Sequence, residues 1–188
     1  TSMSDYVAVR DNIILKPVHN ESIYNRVFVV SAYGGITNLL LEHKKNGTSG
    51  VYAEFANSLN DDSWMEAMEK LKQEIFSINQ QLFKDKKTLN KANEFIGERL
   101  DDAERVLADL QRLCQHGHFA LDMHLATVRE MLASIGEAHS AWNTATLLKK
   151  DKINARYVDL TGWQTDKHMK LDERIDKAFA KIDLSKEL

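Results

Sequence analysis

A chain of 188 residues with 43% hydrophobic side chains and a formal charge of −3 is one good-sized domain with enough apolar content for a real core. Charges of both signs are interspersed, which argues against nucleic-acid and anionic-membrane partners. No apolar stretch approaches the roughly 20 residues of a membrane span and no leader pattern opens the chain, so cytoplasmic residence is the default expectation.

Residues 5–16 place Tyr6, Val9 and Ile13 at helical spacing, and Pro17, the only proline, ends that stretch by its fixed φ and missing donor. A short helix is expected to lead into Val27-Phe28-Val29-Val30. This continuous, mostly β-branched run suits a strand covered on both faces in a parallel sheet. It breaks at Ser31-Ala32-Tyr33-Gly34-Gly35 and passes into a helix predicted over 36–45, stopped by Asn46-Gly47, with 47–50 a mobile loop. A strand, a glycine turn and a helix start make an anion cradle. Parallel sheets bind ligands at their carboxyl edge, Gly34 and Gly35 admit close approach of a ligand to backbone, and the opening helix amides favour phosphate or carboxylate. Ser31 and Thr37 add hydroxyls. The segment is neither a Walker loop nor a dinucleotide fingerprint, since no Lys-Ser/Thr follows the glycines and the G-x-G-x-x-G spacing is absent.

From Trp64 the pattern becomes helical. Trp64, Met68, Leu71, Ile75, Ile78 and Leu82 hold one apolar seam, with Asp62 or Ser63 as its cap. After Lys84-Asp85-Lys86-Lys87 the spacing returns at Ile96, Leu100, Ala103, Leu107, Leu110 and Cys114, so the two helices are expected to pack as an antiparallel hairpin. Cys114 is the only cysteine; it excludes an internal disulfide, a thiolate zinc site and a redox pair and reads as a packed thiol. His116-Gly117-His118 ends the second helix. A third seam runs Leu121, Leu125, Val128, Leu132, Ile135, His139, Trp142 and Thr146, and Lys149, Lys150 and Lys152 suit that helix's negative end. A strand at about 153–160 and an amphipathic helix over 171–182 complete the prediction. His116, His118 and His124 do not follow a recognised ligand spacing, so no metal site is expected.

Three segments together resemble the aspartate kinases of the amino-acid kinase superfamily. Val29-Val30-Ser31-Ala32-Tyr33-Gly34-Gly35-Ile36-Thr37-Asn38-Leu39-Leu40 is similar to that family's Val-Val-Ser-Ala-x-x-Gly-x-Thr-Asn-Leu-Leu signature. Thr1-Ser2-Met3 resembles the tail of its opening Lys-Phe/Ile-Gly-Gly-Thr-Ser motif, and Ser134-Ile135-Gly136-Glu137-Ala138-His139-Ser140 its Gly-Glu-x-x-Ser helix, followed by Ala155-Arg156-Tyr157-Val158-Asp159. Within the family the stretches SAYGGITNLLLEHKKNG, ASIGEAHSAWN and DLTGW look most like the aspartokinases of ectoine gene clusters.

The resemblance implies a three-layer α/β/α sandwich of the amino-acid kinase (carbamate kinase-like) type, truncated. Residues 1–188 would be the N-terminal portion of the catalytic domain and 58–118 a helical hairpin insertion within it. It implies transfer of the ATP γ-phosphoryl to the β-carboxylate of L-aspartate, with ATP and magnesium as cofactors of the parent enzyme and none held tightly by this chain. A homo-oligomer is compatible with it. Ser31, Gly34, Gly35 and Thr37 would contact substrate, Glu137 would hold the aspartate ammonium or orient a lysine, and Ser140, three residues on, is a weaker candidate on the same face. Thr1 and Ser2 would border the phosphates. The bland readings stand beside these: Ser31 ends a strand, Thr37 back-bonds within a helix, and Glu137 is a helix-surface glutamate.

The family lysine would precede Thr1, and the later Arg-Gly-Gly-Ser-Asp-type loop and the nucleotide-binding half do not occur in this sequence. The chain reads as a fragment, expected to be inactive alone, since loss of one charge-stabilising group commonly costs on the order of 10²–10³ in rate. The alternative is a non-catalytic module in which the 64–146 helices form an interaction or oligomerisation surface.

Overall fold

Where the sequence keeps one apolar seam over many turns, the chain folds into a helix along it. The computed structural model describes residues 3, 5–17, 22–42, 47–57, 61–163 and 169–180. Its elements are α1 (Tyr6–Val9) running into a π-helical turn (Arg10–Ile14), α2 (Ile36–Leu40), α3 (Val51–Asn57), α4 (Ser63–Leu82), α5 (Lys86–Cys114), α6 (Asp122–Lys150) and α7 (Leu171–Ala180).

The helices α4 and α5 form the predicted hairpin. Trp64, Met68, Leu71 and Ile75 of α4 meet Ile96, Leu100, Ala103 and Leu107 of α5 in one core, all nearly or wholly buried. Asp85 caps α5 by accepting from the Thr88 amide at 2.8 Å, which satisfies one of the donors a helix start leaves open. Lys72 ties the pair on its outer side, 2.8 Å from Asp101 and 2.5 Å from Glu104. Three hairpin seam positions depart from prediction, with Phe83 buried in place of Leu82 and Gln111 in place of Leu110. Asn79, not Ile78, is the fully buried residue, because the stripe drifts by one position from the strict 4-3 alternation, as a straight 3.6-residue helix does.

Helix α6 lies at the centre of the molecule. From Ile135 onward it is buried almost all round, through Gly136, Ala138, His139, Ser140, Asn143, Thr144, Ala145, Leu147 and Leu148, and it packs against α2, α3 and α5. Its far end is fastened by Arg10 and Tyr6, which donate to the Asp151 carboxylate at 2.7 and 2.9 Å. Arg99 of α5, 5% exposed, pairs with Asp159 and lies between the Phe95 and Trp163 rings at 4.2 and 4.3 Å, so the hairpin also holds the segment after α6.

The expected α/β sandwich is overturned. Among the described residues there is no strand and no sheet, only an isolated antiparallel bridge between Glu42 and Ser49. Residues 27–30 and 153–160, predicted as core strands, carry no β-ladder. Val27 is 53% and Val29 94% exposed, where full coverage was expected. The reason is physical: a strand's main-chain groups must be paired by a neighbour, and no described segment lies in register with either run.

Smaller corrections follow from local chemistry. Helix α2 stops at Leu40 rather than 45; Asn46 lies outside the described residues. The 47–50 loop is pinned at its end, where the Gly50 amide donates to the Leu41 carbonyl at 3.1 Å. No helix is described between Pro17 and Val27, and α3 is an element the sequence pattern did not announce. Thr1 and Ser2 lie outside the described residues.

Candidate functional site

The Ser31–Gly35 turn ends in Gly35, whose φ of +87° is the left-handed conformation that glycine adopts without a Cβ penalty. That twist lets the Ile36 amide reach back to the Tyr33 carbonyl at 3.1 Å and the Leu39 amide to the Gly35 carbonyl at 3.1 Å, opening α2. With only five residues, α2 adds little dipole. The turn exposes Ser31, Gly34, Gly35 and Thr37 and buries Ala32, Tyr33 and Ile36 between them.

What it buries itself against is the Gly136–Ser140 stretch of α6. A Cβ on Gly136 would stand 2.8 Å from Ala32 Cβ, 3.2 Å from Leu40 Cδ1 and 3.4 Å from Ile36 Cγ2, so glycine is what allows the helix and the turn to touch. Four residues on, Ser140 Oγ donates to the Ser31 carbonyl at 2.8 Å. Between these contacts the Tyr33 and His139 rings meet edge to face, centroids 5.1 Å apart. The two motifs, more than a hundred residues apart in sequence, are therefore one structural unit.

Glu137 points the other way around the helix. Exposed, it lines a groove of about 580 Å³ floored by Ala138, Ala141 and Ala145 and walled by the 27–30 and 153–158 runs. Ser31, Gly34, Gly35 and Thr37 do not line that groove. The turn and the Gly-Glu stretch thus come together through Ala32, Tyr33 and the Ser31 carbonyl, while the Glu137 carboxylate opens onto a separate surface.

The sequence reading passed over a polar cluster beneath the turn. Asn79, His139 and Asn143 are each fully buried. His139 Nε2 lies 2.7 Å from Asn79 Oδ1, Asn143 Nδ2 donates to the same oxygen at 2.9 Å, and Asn79 Nδ2 donates to Asn93 Oδ1 at 2.9 Å. Burial drives the His139 pKa down to about 3, so the ring is neutral. Its one proton is assigned to Nε2 because Asn79 Oδ1, 2.7 Å away, can only accept, although Nε2 also lies 3.0 Å from Asn143 Nδ2. Burial likewise raises the Tyr33 hydroxyl to about 12, against a hydrogen bond from Asn143 that favours its ionised form. The available signal was an asparagine four residues after Ile75 on an otherwise apolar stripe, since a polar residue there must find partners.

Over all 188 residues the chain is 49% identical to the aspartate kinase Ask_Ect of Stutzerimonas stutzeri (strain A1501), of which it spans 40%. The chain resembles part of an aspartate kinase. All three sequence segments that suggested this lie inside the matched region, and the ectoine-type likeness agrees with that relative's name. No family model matches the chain, and no solved structure does. No helix among the described residues is long and apolar enough to cross a membrane.

Proposed function

We propose that this chain is the part of an aspartate kinase that presents the amino-acid substrate, in a protein that transfers the γ-phosphoryl of ATP to the β-carboxylate of L-aspartate, giving 4-phospho-L-aspartate. The 49% identity over these 188 residues supports the class of reaction. The observation that carries the assignment of residues is the docking of the Ser31–Gly35 turn on Gly136–Ser140, which puts both family-like motifs in one unit. The pathway we assign is that of ectoine synthesis; lysine, threonine and methionine synthesis are the alternatives.

A carboxylate acceptor is already ionised at neutral pH, so no general base is required and rate comes from positioning and charge neutralisation. The exposed hydroxyls of Ser31 and Thr37 and the backbone at Gly34 and Gly35 would orient the substrate, and the Glu137 carboxylate, which opens onto the separate groove, would act from there on a basic side chain that in turn faces the substrate. Among the described residues no group of three or more His, Cys, Asp or Glu comes together to hold a metal ion. Ser31, Thr37 and Glu137, with a single carboxylate among them, do not fit a magnesium site of their own.

The test is ATP-dependent hydroxamate formation from L-aspartate by the full-length protein. Turnover is expected, with Ser31→Ala and Glu137→Gln each raising KM for aspartate about tenfold or more, the scale of a charge-assisted hydrogen bond. The 188-residue chain alone is expected to give no product. Full-length protein that phosphorylates another carboxylate in preference to aspartate overturns the assignment.

A further inference from the structure

The polar cluster under the turn is costly to build. Three helices, α4, α5 and α6, each bring an amide or imidazole into a core whose other members are apolar. Buried polar groups lose hydration and recover it only through well-placed partners. Here the recovery is nearly complete along one line: Asn79 Oδ1 uses both lone pairs, on His139 Nε2–H and on Asn143 Nδ2, and the Asn79 amide passes the chain of bonds to Asn93 on α5. Two acceptors are left over, His139 Nδ1 and Asn143 Oδ1, buried and without a partner.

The cluster ends on one residue of the turn. Tyr33 is 4% exposed and lies edge to face on the His139 ring. Its main chain is the middle of Ser31–Gly35, and its carbonyl receives the Ile36 amide that starts α2. Packing alone would leave such a turn free to slide along the apolar surface of α6. The ring contact with a His139 held by directional bonds fixes it at one place.

We propose that His139, Asn143 and Asn79 are positioning residues for the Ser31–Gly35 turn, so that the α4–α5 hairpin sets the geometry in which the turn meets the substrate. This rests on the aspartate-kinase reading for its consequence in catalysis, though not for its consequence in the turn. None of the three touches substrate. They act through Tyr33.

The test uses the full-length protein with two substitutions at one position. Leucine at 139 removes the Nε2–H; glutamine can restore a donor toward Asn79. For His139→Leu the expected result is a rise of about tenfold in KM for aspartate with kcat changed less than threefold, and for His139→Gln a return to within about threefold of the parent. Leu107→Ala, a cavity in the hairpin core away from the cluster, lowers stability and is expected to leave KM alone. If His139→Leu and His139→Gln are equally impaired, or if Leu107→Ala raises KM as much, the cluster is merely structural and the proposal fails.

Hydrogen exchange at the Ile36 amide separates this from the functional reading. It is expected to quicken about tenfold in His139→Leu, beyond any change in global opening, and to recover in His139→Gln. If the parent does not phosphorylate aspartate, the kinase reading fails and the exchange result still decides the positioning. Should His139→Leu not fold, Tyr33→Leu carries the test, because it removes the ring that meets His139 edge to face. About a threefold rise in KM and faster Ile36 exchange are expected, and no change in either overturns the proposal.

Discussion

The α4–α5 hairpin is less apolar along its length than the ladder-free run at 27–30, yet the hairpin covers its seam and the run stays largely exposed. In the hairpin each seam residue finds its partner within the same sixty residues, through contacts dictated by a 3.6-residue repeat. A strand has no such self-sufficiency, since half its stabilisation is a neighbour's main chain. The contrast teaches that local periodicity is enough to build the helical excursion, whereas apolar character alone does not make Val27–Val30 a strand.

The widest separation between the two regions is expected from side-chain truncation. Trp64 is fully buried, meets Phe55 edge to face with centroids 6.0 Å apart and donates from Nε1 to Gln111 Oε1 at 3.2 Å. Trp64→Ala removes the packing and the bond to Gln111, at a cost of about 3–5 kcal/mol in urea unfolding. Val29, 94% exposed, has nothing to lose, and Val29→Ser is expected to move stability by less than about 0.5 kcal/mol. A large loss from Val29→Ser would mean that a second molecule covers this run in solution, and the comparison would break.

A second effect lies where α6 meets the hairpin, at His139. The His139 pKa is lowered to about 3 in the folded state against an ordinary 6.5, so between those values the unfolded chain binds the extra proton. Stability therefore rises with pH through that window: it is full above about 6.5 and falls as the pH drops, by up to about 1.4 kcal/mol per unit. Unfolding free energies measured from pH 7 to 4 are expected to show that slope in the parent and to lose most of it in His139→Gln. An unchanged slope in the variant would assign the acid sensitivity to carboxylates instead.

How far the sequence reveals this molecule follows the same division. Helices α4, α5 and α6 are legible to within a few residues because seam, cap and polar break agree. Asp85 after Phe83-Lys84 is a start signal, and His116-Gly117 a stop. The strands were misjudged because Val27–Val30 satisfies every local criterion for one and the missing criterion is non-local. Of the candidate site, the joining of Ser31–Gly35 to Gly136–Ser140 was implied only by resemblance; nothing in spacing pairs residues a hundred apart. Asn79 and Asn143 escaped notice because a polar side chain on a long helix is ordinarily read as solvated, and burial on all sides of α6 is a property of its neighbours.

The finest comparison is between two helical glycines, one in the hairpin and one on α6 beneath the turn. Gly97 of α5 would carry a Cβ with only Phe76 Cζ near it, at 3.9 Å, so Gly97→Ala should gain helix propensity, roughly 0.5–1 kcal/mol, at no steric cost. Gly136 of α6 stands to gain the same propensity, but its Cβ would sit 2.8 Å from Ala32 Cβ, inside any normal contact. Ala32 has no flexible end to swing aside. It moves only with the turn, which Ser140 holds by the Ser31 carbonyl at 2.8 Å. Overpacking of about 1–3 kcal/mol therefore outweighs the propensity gain, and Gly136→Ala is expected to lower stability by about 1 kcal/mol where Gly97→Ala raises it. Adding Ala32→Gly should recover most of that loss, with a coupling energy of about 1 kcal/mol or more in the double-mutant cycle. If the two changes are simply additive, the turn does not rest on Gly136 and the union of the two motifs is wrong.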